Sequence, residues 1–130
     1  LYWYLAVQSV ELTDSVLRVL RPALFNAKGT IKREIRQGKS QLHQIGQLYV
    51  VTRREAQELV IVAVAGRNLL DAVPSLIRYA QQQQCGSMRW HTRNPEYIRH
   101  GFANLPAQLV EKRRGIFHDE YVYRLVLNGR

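Results

Sequence analysis

The stretch Glu58–His91, ELVIVAVAGRNLLDAVPSLIRYAQQQQCGSMRWH, decides how the chain folds. Leu59–Ala65 is an unbroken apolar run rich in β-branched residues, the composition of a strand covered on both faces. Gly66 and Asn68 break it. Asp71 reads as a helix N-cap with Pro74 in the first turn, where a missing N–H costs little. Val73, Leu76, Ile77 and Ala80 recur at helical spacing, so one face is apolar, and Arg78 and Gln81–Gln84 are left to water. Gly86 stands where a helix stop is expected, and Ser87–His91 reads as a second strand. A strand, a crossover helix and a strand predict parallel pairing with a right-handed connection.

Upstream of this unit, Leu1–Ser9 is aromatic and β-branched enough for an opening strand. It is too short, and lacks the basic start, for a secretory signal. Thr13 or Asp14 caps a helix with Val16, Leu17, Leu20 and Leu24 on its apolar side, and Pro22 predicts a kink or two short helices. Lys28-Gly29-Thr30 closes that segment, and a basic helical piece follows over Ile31–Gln37. Ser40–Ile45 and Gln47–Arg54 read as strands hinged at Gly46, and Glu55-Ala56-Gln57 is a tight link into the buried strand. Downstream, Pro95 predicts a short helix over Asn94–Gly101. Ala107–Arg113 and Asp119–Leu127 read as terminal strands joined through Gly115.

Bulk properties narrow the function classes. The 130 residues, 46% of them hydrophobic, suit one domain with one core. No apolar run reaches the roughly 18 residues of a membrane span, so no membrane partner is expected. Cys85 is the lone cysteine, which excludes an internal disulfide and fits a reducing compartment. The net charge is +9, and fifteen of the nineteen basic residues are arginine. Arginine's planar fork suits phosphate and carboxylate, so nucleic acid and an acidic protein surface are both compatible partners.

The element order β-α-α-β-β-β-α-β-α-β-β resembles the GNAT fold of acyl-CoA N-acyltransferases across essentially the whole chain. The resemblance implies an α+β domain with a mixed central sheet, and acyl-CoA entering between the Leu59–Ala65 and Ser87–His91 strands. Active members carry arginine or glutamine, two residues, then glycine-x-glycine or alanine ahead of the helix. The matching segment, Ala65-Gly66-Arg67-Asn68-Leu69-Leu70-Asp71, has one glycine, two leucines that crowd a pyrophosphate and an acid beside it. A tyrosine four residues before Gly-Phe is the family's general acid, and Tyr97 before Gly101-Phe102 fits that spacing. Glu55 and Glu58 flank a turn, and neither reads as a general base. Ser40-Gln41-Leu42, Tyr49–Arg53, Trp90–Pro95 and Tyr123–Leu127 resemble GNAT-like proteins of tailed phages, some of them virion-associated.

Three expectations follow. The first is a catalytically degenerate GNAT-like protein of a phage virion or bacterial cytoplasm, without cofactor. Its partners would be virion proteins or an acidic surface, met through Lys32, Arg33, Arg36, Lys112, Arg113 and Arg114. The alternative is an acetyl-CoA-dependent N-acetyltransferase, with the amides of Gly66, Arg67 and Asn68 holding the pyrophosphate and Tyr97 protonating the thiolate. The third is a nucleic-acid-binding or host-inhibiting protein. No metal is expected, because His43, His91, His100 and His118 have no metal-pair spacing and a lone cysteine makes no zinc set. Cys85, at a helix end, reads as a packed thiol.

Overall fold

The computed structural model describes residues 5–24, 28–92, 107–114 and 120–127. Along them run β1 (Val7–Ser9), α1 (Asp14–Leu24), α2 (Lys28–Arg36), β2 (Gln41–Ile45), β3 (Leu48–Glu55) and β4 (Glu58–Gly66). These are followed by α3 (Leu69–Gln82), β5 (Ser87–Thr92), β6 (Ala107–Arg113) and β7 (Glu120–Val126). The strands form one mixed sheet in the order β1-β2-β3-β4-β5-β7-β6, the α+β architecture expected of a GNAT-like chain. The helix expected over Asn94–Gly101, the Gly115 link and the first residues of the opening strand lie outside the described residues.

Two-residue turns build the first half of the sheet. Ile45 pairs with Leu48 across Gly46-Gln47, and Glu55 pairs with Glu58 across Ala56-Gln57. Such short hairpins need left-handed backbone, which Gly46 adopts freely at φ 59° and Ala56 at some cost at φ 54°. β4 then pairs with β5 in parallel, as the crossover predicts. Leu59, Ile61, Leu76, Ala80, Met88 and Trp90 form the core between the sheet and α3. Val16, Leu17, Leu20, Leu24, Ile31, Val51 and Ala63 form the core under α1 and α2.

The helix boundaries correct several expectations. Of the two cap candidates for α1 it is Thr13 that takes the role, its hydroxyl accepting the Val16 N–H at 3.3 Å. Pro22 lies inside an unbroken α1. Its ring faces solvent there, and the carbonyl it leaves unpaired, on exposed Arg18, can be hydrated. α2 begins at Lys28, taking Gly29 and Thr30 into a first turn whose amides need no intrahelical acceptor. α3 begins at Leu69, which packs on the core, so Asn68 is the N-cap and Asp71 lies in the first turn. Pro74 is therefore the sixth helical residue, past the first turn. At the other end the left-handed residue is Gln84, φ 61°, rather than Gly86. Gly86 instead donates its N–H to Gln57 at 2.7 Å and accepts that of Leu127 at 2.9 Å.

Candidate active site: the opening between β4 and β5

Parallel pairing of β4 with β5 runs from Glu58–Ser87 to Ile61–Trp90 and no further. Among the described residues, each strand beyond that point keeps only its other neighbour. β4 follows β3 to the Leu48–Gly66 pair, and β5 follows β7 through His91–Val122 and Thr92–Tyr121. The cause lies in β4. Val51 faces Ala63 but Thr52 faces Ile61, so Val62 is an extra residue, a β-bulge at the level where the strands part. A bulge bends its strand and increases its twist, which draws β4 away from β5. Backbone groups of Val62–Ala65 that point away from β3 therefore have no β5 partner over roughly 13 Å of strand.

The other end of the strand pair is held shut. Glu58 is buried, and its carboxylate accepts hydrogen bonds from Ser87 Oγ at 2.8 Å, Arg89 Nη1 at 3.0 Å and Arg124 Nε at 2.5 Å. These donors sit on β5 and β7, so one carboxylate ties three adjacent strands. Arg89 also reaches Glu55 at 2.7 Å, and Glu55 in turn pairs with Arg53 at 3.2 Å. Burial pushes the Glu58 carboxyl up. Hydrogen bonds from Arg124 and Ser87 and the charges of Arg124 and Arg89 outweigh that and hold it below the usual carboxylate value. A carboxylate so engaged acts as a clamp between strands.

At the open end only two residues, Arg67 and Asn68, connect β4 to α3. Gly66 has φ 121°, and a Cβ there would stand 2.3 Å from the Gln47 carbonyl oxygen. The Arg67 N–H, one of the three amides expected to hold a pyrophosphate, is donated to that same carbonyl at 3.1 Å. Asn68 takes left-handed backbone (φ 68°, ψ 46°) and its side chain caps no amide. The amides of Leu69–Asp71 then have no acceptor within the helix and lie at the positive end of its dipole. They are anion donors, but Asp71 places a carboxylate in the same turn. The backbone along β4 can pair with an extended, amide-bearing chain, whereas the residues present build no glycine-rich diphosphate cradle.

His91 is the first titratable side chain of β5 beyond the divergence, and it is half-buried. The sequence reading weighed the histidines as metal ligands and as a partner for Cys85, and did not single out His91; its place at the end of the β5 strand was the available signal. Tyr97, the sequence candidate for general acid, lies outside the described residues. His43 is buried away from the opening, its Nε2 3.0 Å from Thr52 Oγ1 and its ring edge-on to Tyr79. Burial lowers its pKa. Cys85 is buried in the core beneath α3. Among the described residues no group of acids, histidines and cysteine is placed to hold a metal. No helix among them is long and apolar enough to cross a membrane.

The six residues expected to share a basic surface separate. Arg33 and Arg36 are exposed and Lys32 half-exposed on α2, which packs on the β2–β4 side through Ile31. Lys112 and Arg113 belong to β6, at one edge of the sheet, and Arg114 follows it. β3 and β6 are four strand spacings apart, roughly 19 Å. Lys112 also lies over the Tyr121 ring, 5.5 Å from its centre.

No protein-family model matches the chain, and no curated protein sequence matches it. Solved structures do. The ribosomal-protein-S18-alanine N-acetyltransferase of Escherichia coli superposes with a TM-score of 0.72 at 15% identity, covering 96% of this chain and 95% of that one. A Bacillus subtilis acetyltransferase solved with CoA gives 0.73 at 15% identity, with 95% and 99% covered. A Desulfovibrio desulfuricans structure assigned to the GNAT family of acetyltransferases gives 0.65 at 9% identity, with 95% and 99% covered. The chain has the GNAT acetyltransferase fold.

Proposed function

We propose that the protein is an acyl-CoA-dependent N-acetyltransferase that grips its cofactor mainly through the β4–β5 opening rather than through a phosphate loop. The observation that carries this reading is the coincidence of the Val62 bulge with the end of β4–β5 pairing. It leaves strand backbone for an extended, amide-bearing arm. That a structure of the same fold was solved with CoA supports the same reading. Transfer of an acetyl group requires an amine to attack the thioester carbonyl, lose a proton and displace a thiolate that gains one. In this reading His91, half-buried on β5 just past the last β4–β5 pair, takes the amine proton. The resemblance assigns the thiolate's proton to Tyr97.

The two-residue connection, too short for a phosphate loop, favours a second reading, a GNAT-fold protein that binds no CoA and serves as an interaction module. Amide chemical shifts separate the two. Millimolar acetyl-CoA added to isotope-labelled protein is expected to move the amides of Val62–Ala65 and Leu69–Asp71 and to leave Ser87 in place. A spectrum unchanged at all of these positions contradicts the enzyme reading.

A further inference from the structure

Positive charge in this fold is segregated. Three arginines of the sheet are neutralised locally, Arg53 by Glu34 and Glu55, Arg89 by Glu55 and Glu58, and Arg124 by Glu58, while Arg54, among the described residues, donates only to the carbonyls of Ala56 and Gln83. The two helices of the opposite layer are not treated this way. From Asp14 to Lys39 the chain carries seven lysines and arginines against two acids, a surplus of five of the net +9. One of those two acids, Glu34, is already engaged by Arg53 at 3.0 Å and by Ser40 at 2.9 Å. Among the described residues Arg18, Arg21, Lys32, Arg33 and Arg36 make no ion pair, and all but half-exposed Lys32 are exposed.

We propose that α1 and α2 form a docking surface for double-stranded nucleic acid, read through its phosphates without sequence preference. This is independent of the acetyltransferase reading, since no residue of the β4–β5 opening takes part. The helices' apolar residues choose between polyanions. Val16, Leu17, Leu20, Leu24 and Ile31 are buried against the sheet, so no apolar face remains to enter a lipid surface. Val19, 42% exposed, is the only exposed large apolar side chain on the two helices, too little for the apolar centre of a protein interface. Neither helix carries an aromatic residue on which unpaired bases would stack, so single strands gain nothing extra. What remains is arginine-rich charge repeating about once per helical turn, about 5.4 Å, opposite a polymer with a phosphate about every 3.4 Å along each strand.

The test is fluorescence anisotropy of a labelled mixed-sequence duplex titrated with the full chain across a salt series. Five phosphate contacts predict a slope of log K against log salt of about −4.5, or about 500-fold weaker binding on going from about 50 to about 200 mM salt. The variant Lys32→Glu/Arg33→Glu/Arg36→Glu is expected to flatten that slope by about 3, and Arg18→Gln/Arg21→Gln by about 2. Lys112→Glu/Arg114→Glu, on and just after β6, serves as the control and leaves it unchanged. Circular dichroism of each variant checks that the helices persist, and the milder glutamine pair carries the test if the triple reversal unfolds. Absence of duplex binding at low salt overturns the proposal. So does an equal loss in the β6 control, or tighter binding to polyglutamate or anionic vesicles than to the duplex.

Discussion

Replacing Glu58 with alanine removes the acceptor that β5 and β7 share, and its cost follows from how the donors are left. Glu58's side chain is 11% exposed and Arg89's 24%, so this is an interior ion cluster. Taking one partner from a buried pair costs about 3–5 kcal/mol. The low end applies, because Arg89 keeps Glu55 at 2.7 Å and Arg124, 40% exposed, can turn to water. A loss of about 3 kcal/mol at a urea slope of about 2 kcal/mol per molar lowers the midpoint by about 1.5 M. Glu58→Gln, which retains the shape and part of the hydrogen bonding, is expected to fall between. The pH dependence is a second check. A carboxylate whose folded pKa lies below its ordinary 4.5 contributes stability that is complete above that value and lost as pH falls through the folded pKa. The gap between wild type and Glu58→Ala should therefore close below pH 4.5. A loss under about 1 kcal/mol near neutrality, as for exposed pairs, refutes the clamp.

Other perturbations act elsewhere in the fold. Burial lowers the folded pKa of His43, so the unfolded chain binds the proton more readily; thermal stability is predicted to decline as pH drops below 6.5, and His43→Phe to remove that limb. Thr52→Val, which leaves buried His43 Nε2 without its 3.0 Å partner, should cost about 1–3 kcal/mol in urea denaturation. Gly66→Ala meets the Gln47 carbonyl oxygen and a φ of 121°, and is expected to cost at least about 2 kcal/mol.

Much of the fold was legible because it rests on local patterns. The apolar run Leu59–Ala65, the 3.6-residue spacing of Val73 to Ala80 and the turn at Gly46 foretold strand, helix and meander, and the parallel pairing followed from the crossover. Helix ends were less legible. Asp71 and Pro74 suggested a later start for α3, but burial of Leu69 drew the helix back to Asn68. The family resemblance pointed to a gap between these two strands, but the bulge that opens it was hidden for a physical reason. A bulge is read as a break in alternation, and Leu-Val-Ile-Val-Ala-Val-Ala has no polar positions against which Val62 could register as extra. The clamp joins Glu58 to Arg124 across 66 positions, a contact that only the sheet order β4-β5-β7 creates. Similarly, the runs of cations on α2 and β6 looked like one surface until the sheet set them on opposite sides of its centre.

The most direct measurement is a pair of calorimetric titrations, one with acetyl-CoA and one with acetyl-pantetheine, which lacks the nucleotide and its diphosphate. A cofactor held along Val62–Ala65 should bind in both forms with dissociation constants within about tenfold, a difference of about 1.4 kcal/mol. Binding of acetyl-CoA with none of acetyl-pantetheine would mean that the α3 N-terminus holds the cofactor and the strand opening does not. Heat from neither would contradict the account and leave a GNAT fold without its cofactor.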